Sequence, residues 1–141
     1  MPQTAKTPAK YADKPAVQPD LVLLFDQLKK ILSKQIRKNY VVKADKEGHY
    51  EISYNKEVEM AGKRYPEVSF ASLLIQKGYV GFYFFPVYPM PDLREQLSPA
   101  LLKCLKGKTC FHIKKEDPVL FEQIDEALET GYEAYSSKGW N

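Results

Sequence analysis

In His49-Tyr50-Glu51-Ile52-Ser53-Tyr54-Asn55-Lys56-Glu57-Val58-Glu59-Met60, apolar or aromatic Tyr50, Ile52, Tyr54, Val58 and Met60 fall between polar His49, Glu51, Ser53, Asn55, Glu57 and Glu59. A period of two sends the two sets to opposite sides of an extended chain, as a half-buried antiparallel strand requires. Lys46-Glu47-Gly48 before this stretch and Ala61-Gly62-Lys63 after it read as turns, and Tyr40-Val41-Val42 as a short preceding strand. Glu67–Gln76 follows, with Val68, Phe70 and Leu74 expected on one side and Ala71, Leu73 and Ile75 on the other. After a turn at Lys77-Gly78, Tyr79–Phe85 is aromatic on both faces. The spacing describes a meander of strands, the later ones covered at least in part on both sides.

Helical spacing takes over at both ends. Leu21, Leu24, Phe25, Leu28, Ile31, Leu32 and Gln35–Ile36 form one stripe after Pro19 and a capping Asp20, with Lys29, Lys30, Lys34, Arg37 and Lys38 in the last two turns. Pro86, Pro89 and Pro91 make a stiff loop. A short helix is expected from Ser98 to Leu105, capped by Ser98 and ended by Gly107, then a strand at Thr109–Ile113. Asp117-Pro118 starts a final helix whose buried stripe is Leu120, Ile124, Ala127, Leu128 and Tyr135. Strands in a run with helices at the ends argue for a two-layer α+β fold: an antiparallel sheet of about five strands backed by N-terminal and C-terminal helices plus one short helix.

The chain has 141 residues and is 44% hydrophobic, enough to close a core without disulfides or a structural metal. Its charge is 21 − 18 = +3, too small an excess to argue for nucleic acid. Residues 1–17 carry Lys6, Lys10 and Lys14 against Asp13, or +2, with Pro2, Pro8 and Pro15 and little to bury. They are expected to be a disordered tail, and residues 18–141 a single domain of charge +1. No apolar run reaches the roughly 20 residues of a membrane span. The first twenty residues lack the apolar core of a secretory signal, and two Cys without an export signal point to a reducing, cytoplasmic setting.

Three stretches carry a resemblance. They are Glu51-Ile52-Ser53-Tyr54 with the Ala61-Gly62-Lys63 turn, Ser69-Phe70-Ala71 running to Gly81-Phe82-Tyr83-Phe84-Phe85-Pro86, and Leu105-Lys106-Gly107-Lys108-Thr109-Cys110-Phe111-His112-Ile113. Together they resemble the YdhG-like family of small bacterial domains of unknown function, over residues 20–135. The resemblance implies a two-layer α+β fold similar to frataxin. It also implies iron as a ligand, through the iron-chaperone role suggested for some members. Many members have Gly then Pro after Ile-Ser-Tyr; here Asn55-Lys56-Glu57 stands instead.

No nucleophile, zincin, phosphate-loop or dinucleotide motif is present, so no catalytic residue can be nominated beyond His49 and His112. Cys104, Cys110 and His112 are good ligand types, yet C-x5-C-x-H matches no tight metal knuckle, and buried reduced thiols are the expectation. Glu122, Asp125, Glu126, Glu129 and Glu133 follow the outer face of the last helix. A solvated face accounts for them; with the resemblance, the first four are the candidate ligands of an iron chaperone. The aromatic surplus is the stronger signal. Val80, Phe82 and Phe84 can face the helices, which leaves Tyr79, Tyr83 and Phe85, with Tyr88 in the Pro-rich loop, to meet a second layer, a partner subunit or a small molecule. The function expected is a non-enzymatic binding domain for a small molecule or protein partner, a homodimer among the options, using Tyr79, Tyr83, Phe85 and Tyr88.

Overall fold

The computed structural model describes residues 18–141; the expected tail lies outside the described residues. The elements are α1 (Pro19–Ser33), β1 (Tyr40–Lys46), β2 (His49–Tyr54), β3 (Val58–Met60), β4 (Lys63–Tyr65), β5 (Val68–Gln76) and β6 (Tyr79–Phe84). Two 3-10 turns, Phe85–Val87 and Pro91–Gln96, precede α2 (Pro99–Leu102), β7 (Leu105–Lys106), β8 (Cys110–Ile113) and α3 (Pro118–Ser137). The main sheet has six strands in the order β1-β2-β5-β6-β8-β7, all antiparallel, and β3-β4 form a separate two-stranded ribbon. This is the α+β architecture expected, with one more strand in the main sheet.

The long alternating stretch does not run as one strand. It breaks at Asn55-Lys56-Glu57, and Val58–Met60 folds back on Lys63–Tyr65 through Ala61 and Gly62, both at positive φ (53° and 78°). Alternation alone fixes the faces of a strand, not its partner, so the ribbon was invisible to it. A second correction comes from a bulge. Ile52 pairs with Ala71 but Ser53 pairs with Ser69, so Phe70 is the extra residue. Both Phe70 and Ala71 are thereby buried, and Leu74 moves to the side away from the core.

The helix ends also shift. Gln18, not Asp20, holds the N-cap position of α1; its side-chain amide donates to the Gln76 carbonyl (2.9 Å) and its carboxamide oxygen accepts from the Gly78 amide (2.6 Å). The helix ends at Ser33, so Lys34, Arg37 and Lys38 lie past it rather than in its last two turns. The short helix is only Pro99–Leu102, because Leu105-Lys106 turns through Gly107 (φ 88°) to pair with β8. At α3 the expected cap is found: the Asp117 carboxylate accepts from the amides of Val119 (3.1 Å) and Leu120 (3.2 Å).

One apolar cluster joins the stripes of α1 and α3 to one face of the sheet. Leu28 and Leu32, Ile124 and Leu128, and Phe70, Val80, Phe82, Phe84 and Phe111 are fully buried in it. The approach of α3 is close enough to require Gly131: a Cβ there would stand 2.6 Å from Phe84 Cζ. Tyrosine hydroxyls close the far end. Tyr40 donates to the Trp140 carbonyl (2.7 Å) and Tyr135 to the Ser69 carbonyl (2.7 Å), while the Trp140 ring packs edge-on against Tyr135. With both long helices committed to this core, the opposite sheet face has no helix of the described residues across it.

Candidate functional site

The strand register builds that second face. Glu51, Ser72, Tyr83 and Cys110 are successive partners across β2, β5, β6 and β8, and His49, Leu74, Gly81 and His112 form the adjacent row. Directly opposed residues project to the same side. Tyr79 and Tyr83 therefore share the helix-free face, as their alternation with buried Val80, Phe82 and Phe84 requires. All of the residues in the two rows except Gly81 are half-buried, so the face is neither solvent-stripped nor core.

Gly81 has a specific job there. A Cβ would lie 2.8 Å from Tyr83 Cε1, so the missing side chain lets the Tyr83 ring lie across the strand. On the other side of Gly81, the Tyr79 ring stacks on the His112 imidazole, centroids 3.7 Å apart and planes 10° from parallel. Gln76 Nε2 reaches the Tyr83 hydroxyl at 3.5 Å.

The electrostatics keep these groups neutral. Burial, then the Cys110 thiol beside it, pushes the Tyr83 hydroxyl up to about 12. Burial raises Tyr79 and Cys110, the latter held back by Tyr83. Burial, followed by the charges of Lys106 and Lys114, lowers His112 below the usual imidazole range. At neutral pH the imidazole is uncharged and the thiol protonated. Such a surface can stack and hydrogen-bond; it lacks the lowered thiol that a cysteine nucleophile needs.

Phe85 and Tyr88 stand apart from this pair. The strand ends at Phe84 and the chain enters a 3-10 turn, where Phe85 is partly buried against the core. Its ring is 5.3 Å from that of Tyr88, which is 50% exposed with Lys108 Nζ 5.6 Å from its centroid. The four aromatic candidates thus form two pairs, one on the sheet and one on the turn after it.

The acidic candidates are dispersed in their use. Asp125 pairs with Lys34 (3.2 Å); Glu129 pairs with Arg37 (3.1 Å) and accepts from Gln35 Nε2 (2.9 Å). The Gln35 hydrogen bond, then Arg37, holds the Glu129 carboxyl below its usual range. Glu122 and Glu126 are exposed. Among the described residues no three His, Cys, Asp or Glu side chains are grouped to hold a metal ion.

Cys104 and Cys110 are free and half-buried rather than fully buried, because both lie toward the sheet edge at β7–β8. The His112 amide donates to the Cys104 carbonyl (2.8 Å), and these two residues help line a hollow of about 280 Å³ with Lys103, Lys106, Lys114, Lys115, Asp117 and Leu120. A larger cleft of about 600 Å³ lies between the start of α1 and residues 114–116, bridged by the Gln27–Glu116 hydrogen bond. Sequence reasoning missed the lysine hollow, although Lys103, Lys106, Lys108, Lys114 and Lys115 fall within thirteen positions. Comparison of the chain with protein-family models, with curated proteins and with solved structures finds no match.

Proposed function

We propose that this domain is a non-enzymatic binding module whose ligand or protein partner packs on the helix-free sheet face at Tyr79 and Tyr83. The observation that carries this reading is the pairing of half-buried aromatic rings with a face that no helix of the described residues crosses. Contiguous aromatic surface on an otherwise polar exterior is characteristic of interaction sites, since tyrosine offers a large apolar ring at low entropic cost with a hydroxyl to orient the partner. The Phe85–Tyr88 pair in the following Pro-rich turn stands apart from these rings and is a separate candidate contact. A fragment screen followed by amide chemical shifts tests it. Binders should perturb Gly81, Tyr83 and His112 and leave Phe70 and Leu128 unchanged; perturbations confined to the helices would refute the assignment.

The iron-chaperone alternative implied by the YdhG-like resemblance would require Asp125 and Glu129 to leave Lys34 and Arg37 before binding a cation. Ferrous iron added by anaerobic calorimetry tests that reading separately.

A further inference from the structure

The hollow between β7, β8 and the start of α3 lies on the edge of the sheet, and His112 belongs both to it and to the aromatic face. Its charged lining is four lysines and one carboxylate, 4 − 1 = +3, in a folded part whose net charge is only +1. None of Lys103, Lys106, Lys114 and Lys115 is among the ion pairs of the described residues. The one carboxylate, Asp117, caps α3 by accepting from the amides of Val119 and Leu120 through a single oxygen, Oδ1. The lysines come from two segments, 103–106 and 114–115, which the hairpin β7–β8 brings to one place. Lys114 and Lys115 also border the neighbouring cleft with Asp20, Asp26 and Glu116, whereas inside the hollow four like charges meet the single carboxylate of Asp117.

We propose that this hollow is a binding site for a compact phosphate-bearing small molecule. The absence of arginine from the lining argues against a planar carboxylate held bidentately and for a rounded polyanion met by several point charges. The volume, about 280 Å³, is at the low end for small-molecule sites, which fits a ligand little larger than its phosphates. Leu120 and Cys104 add apolar atoms to the lining, which includes His112, the residue whose ring stacks on Tyr79. The assignment stands independently of the reading of the sheet face and shares only His112 with it.

His112 also reports occupancy. The groups facing it are Lys103, Lys106, Lys114, Lys115, Asp117 and Cys104 in the hollow and Tyr79 on the sheet. Lys106 and Lys114 disfavour the imidazolium, so an anion that neutralises them must raise the titration midpoint. The experiment follows both histidines of the full chain by NMR across pH, with pyrophosphate, with citrate, and with chloride at matched ionic strength. His49 is three strand spacings away, about 14 Å, and serves as the internal reference.

Pyrophosphate should move the His112 midpoint upward and leave His49 in place. The Lys106→Gln/Lys114→Gln double variant should start from a raised His112 midpoint, lose the response, and bind pyrophosphate about tenfold more weakly. These lysines are exposed, so the variant keeps its fold. A response equal to that of chloride would overturn the site, and a response equal to that of citrate would overturn the choice of phosphate. Failure here with altered association in Tyr83→Ala would remove the anion site alone. A full pyrophosphate response with no effect of Tyr83→Ala would remove the sheet-face reading alone.

Discussion

Gly131→Ala opposes two effects at a single atom, and the packing of α3 decides which wins. Alanine is better than glycine in a helix interior by about 1 kcal/mol. Here the added methyl would meet Phe84 Cζ at 2.6 Å, Cε1 at 2.8 Å and Pro86 Cγ at 3.2 Å. The Phe84 ring has no room to yield, being fully buried and boxed by Phe70 (centroids 6.1 Å) and Phe82 (5.8 Å). Overpacking at such a site costs roughly 1–3 kcal/mol, so the net change is a destabilisation of about 1 kcal/mol. For a domain of this size that lowers Tm by roughly 4 °C. Thermal unfolding followed by circular dichroism checks it. The Gly131→Ala/Phe84→Leu double variant, which shortens the ring, should cost less than the sum of the single changes. A Gly131→Ala protein that melts at or above wild type would refute the close approach of α3 to β6, and with it the argument that commits the helices to one sheet face.

Phe82→Ala should cost about 3–5 kcal/mol, measured by urea titration, because the ring is fully buried between Phe84 and Phe111; near wild-type stability would reverse the two faces of β6. Cys104 and Cys110, both raised by burial, should alkylate slowly at pH 7.5 in the native protein and completely after unfolding, adding two labels; a mass two hydrogens short with no labelling would show a disulfide instead. Glu129 has a depressed native pKa, so its contribution is present above the unfolded value and is lost as pH falls through the native one. Glu129→Gln should therefore flatten the acid limb of the stability–pH profile, and an unchanged limb would count against the Gln35–Arg37–Glu129 network.

The fold was legible where one interaction dominates. The stripe Leu120, Ile124, Ala127, Leu128, Tyr135 gave α3, and Asp117-Pro118 its start, because capping and periodicity are local chemistry. The core set Val80, Phe82 and Phe84 was legible for the same reason. What escaped depends on partners far along the chain. The Phe70 bulge exists only against Ile52 and Ser53, and β7 is two residues that become a strand only by meeting Cys110 and Phe111. Of the candidate site, Tyr79 and Tyr83 could be placed from alternation, but not the His112 ring stacked on Tyr79, nor the role of Gly81 beneath Tyr83. The break between Tyr83 and Tyr88 was hidden because Phe85 continues the aromatic run in sequence while the backbone leaves the sheet at Phe84.

Tyr83→Ala separates a binding role of the Tyr79–Tyr83 face from a packing role. The side chain is half-buried and spans only the surface of the sheet, so its loss should lower stability by less than about 1.5 kcal/mol, far below the figure for Phe82. Sedimentation and binding of a screened ligand, run beside thermal melting of the same sample, separate the outcomes. A binding face gives changed mass or weakened binding with a nearly unchanged melt. A melt as damaged as that of Phe82→Ala, with mass and binding unaltered, would make Tyr83 an ordinary packing residue and contradict the binding role.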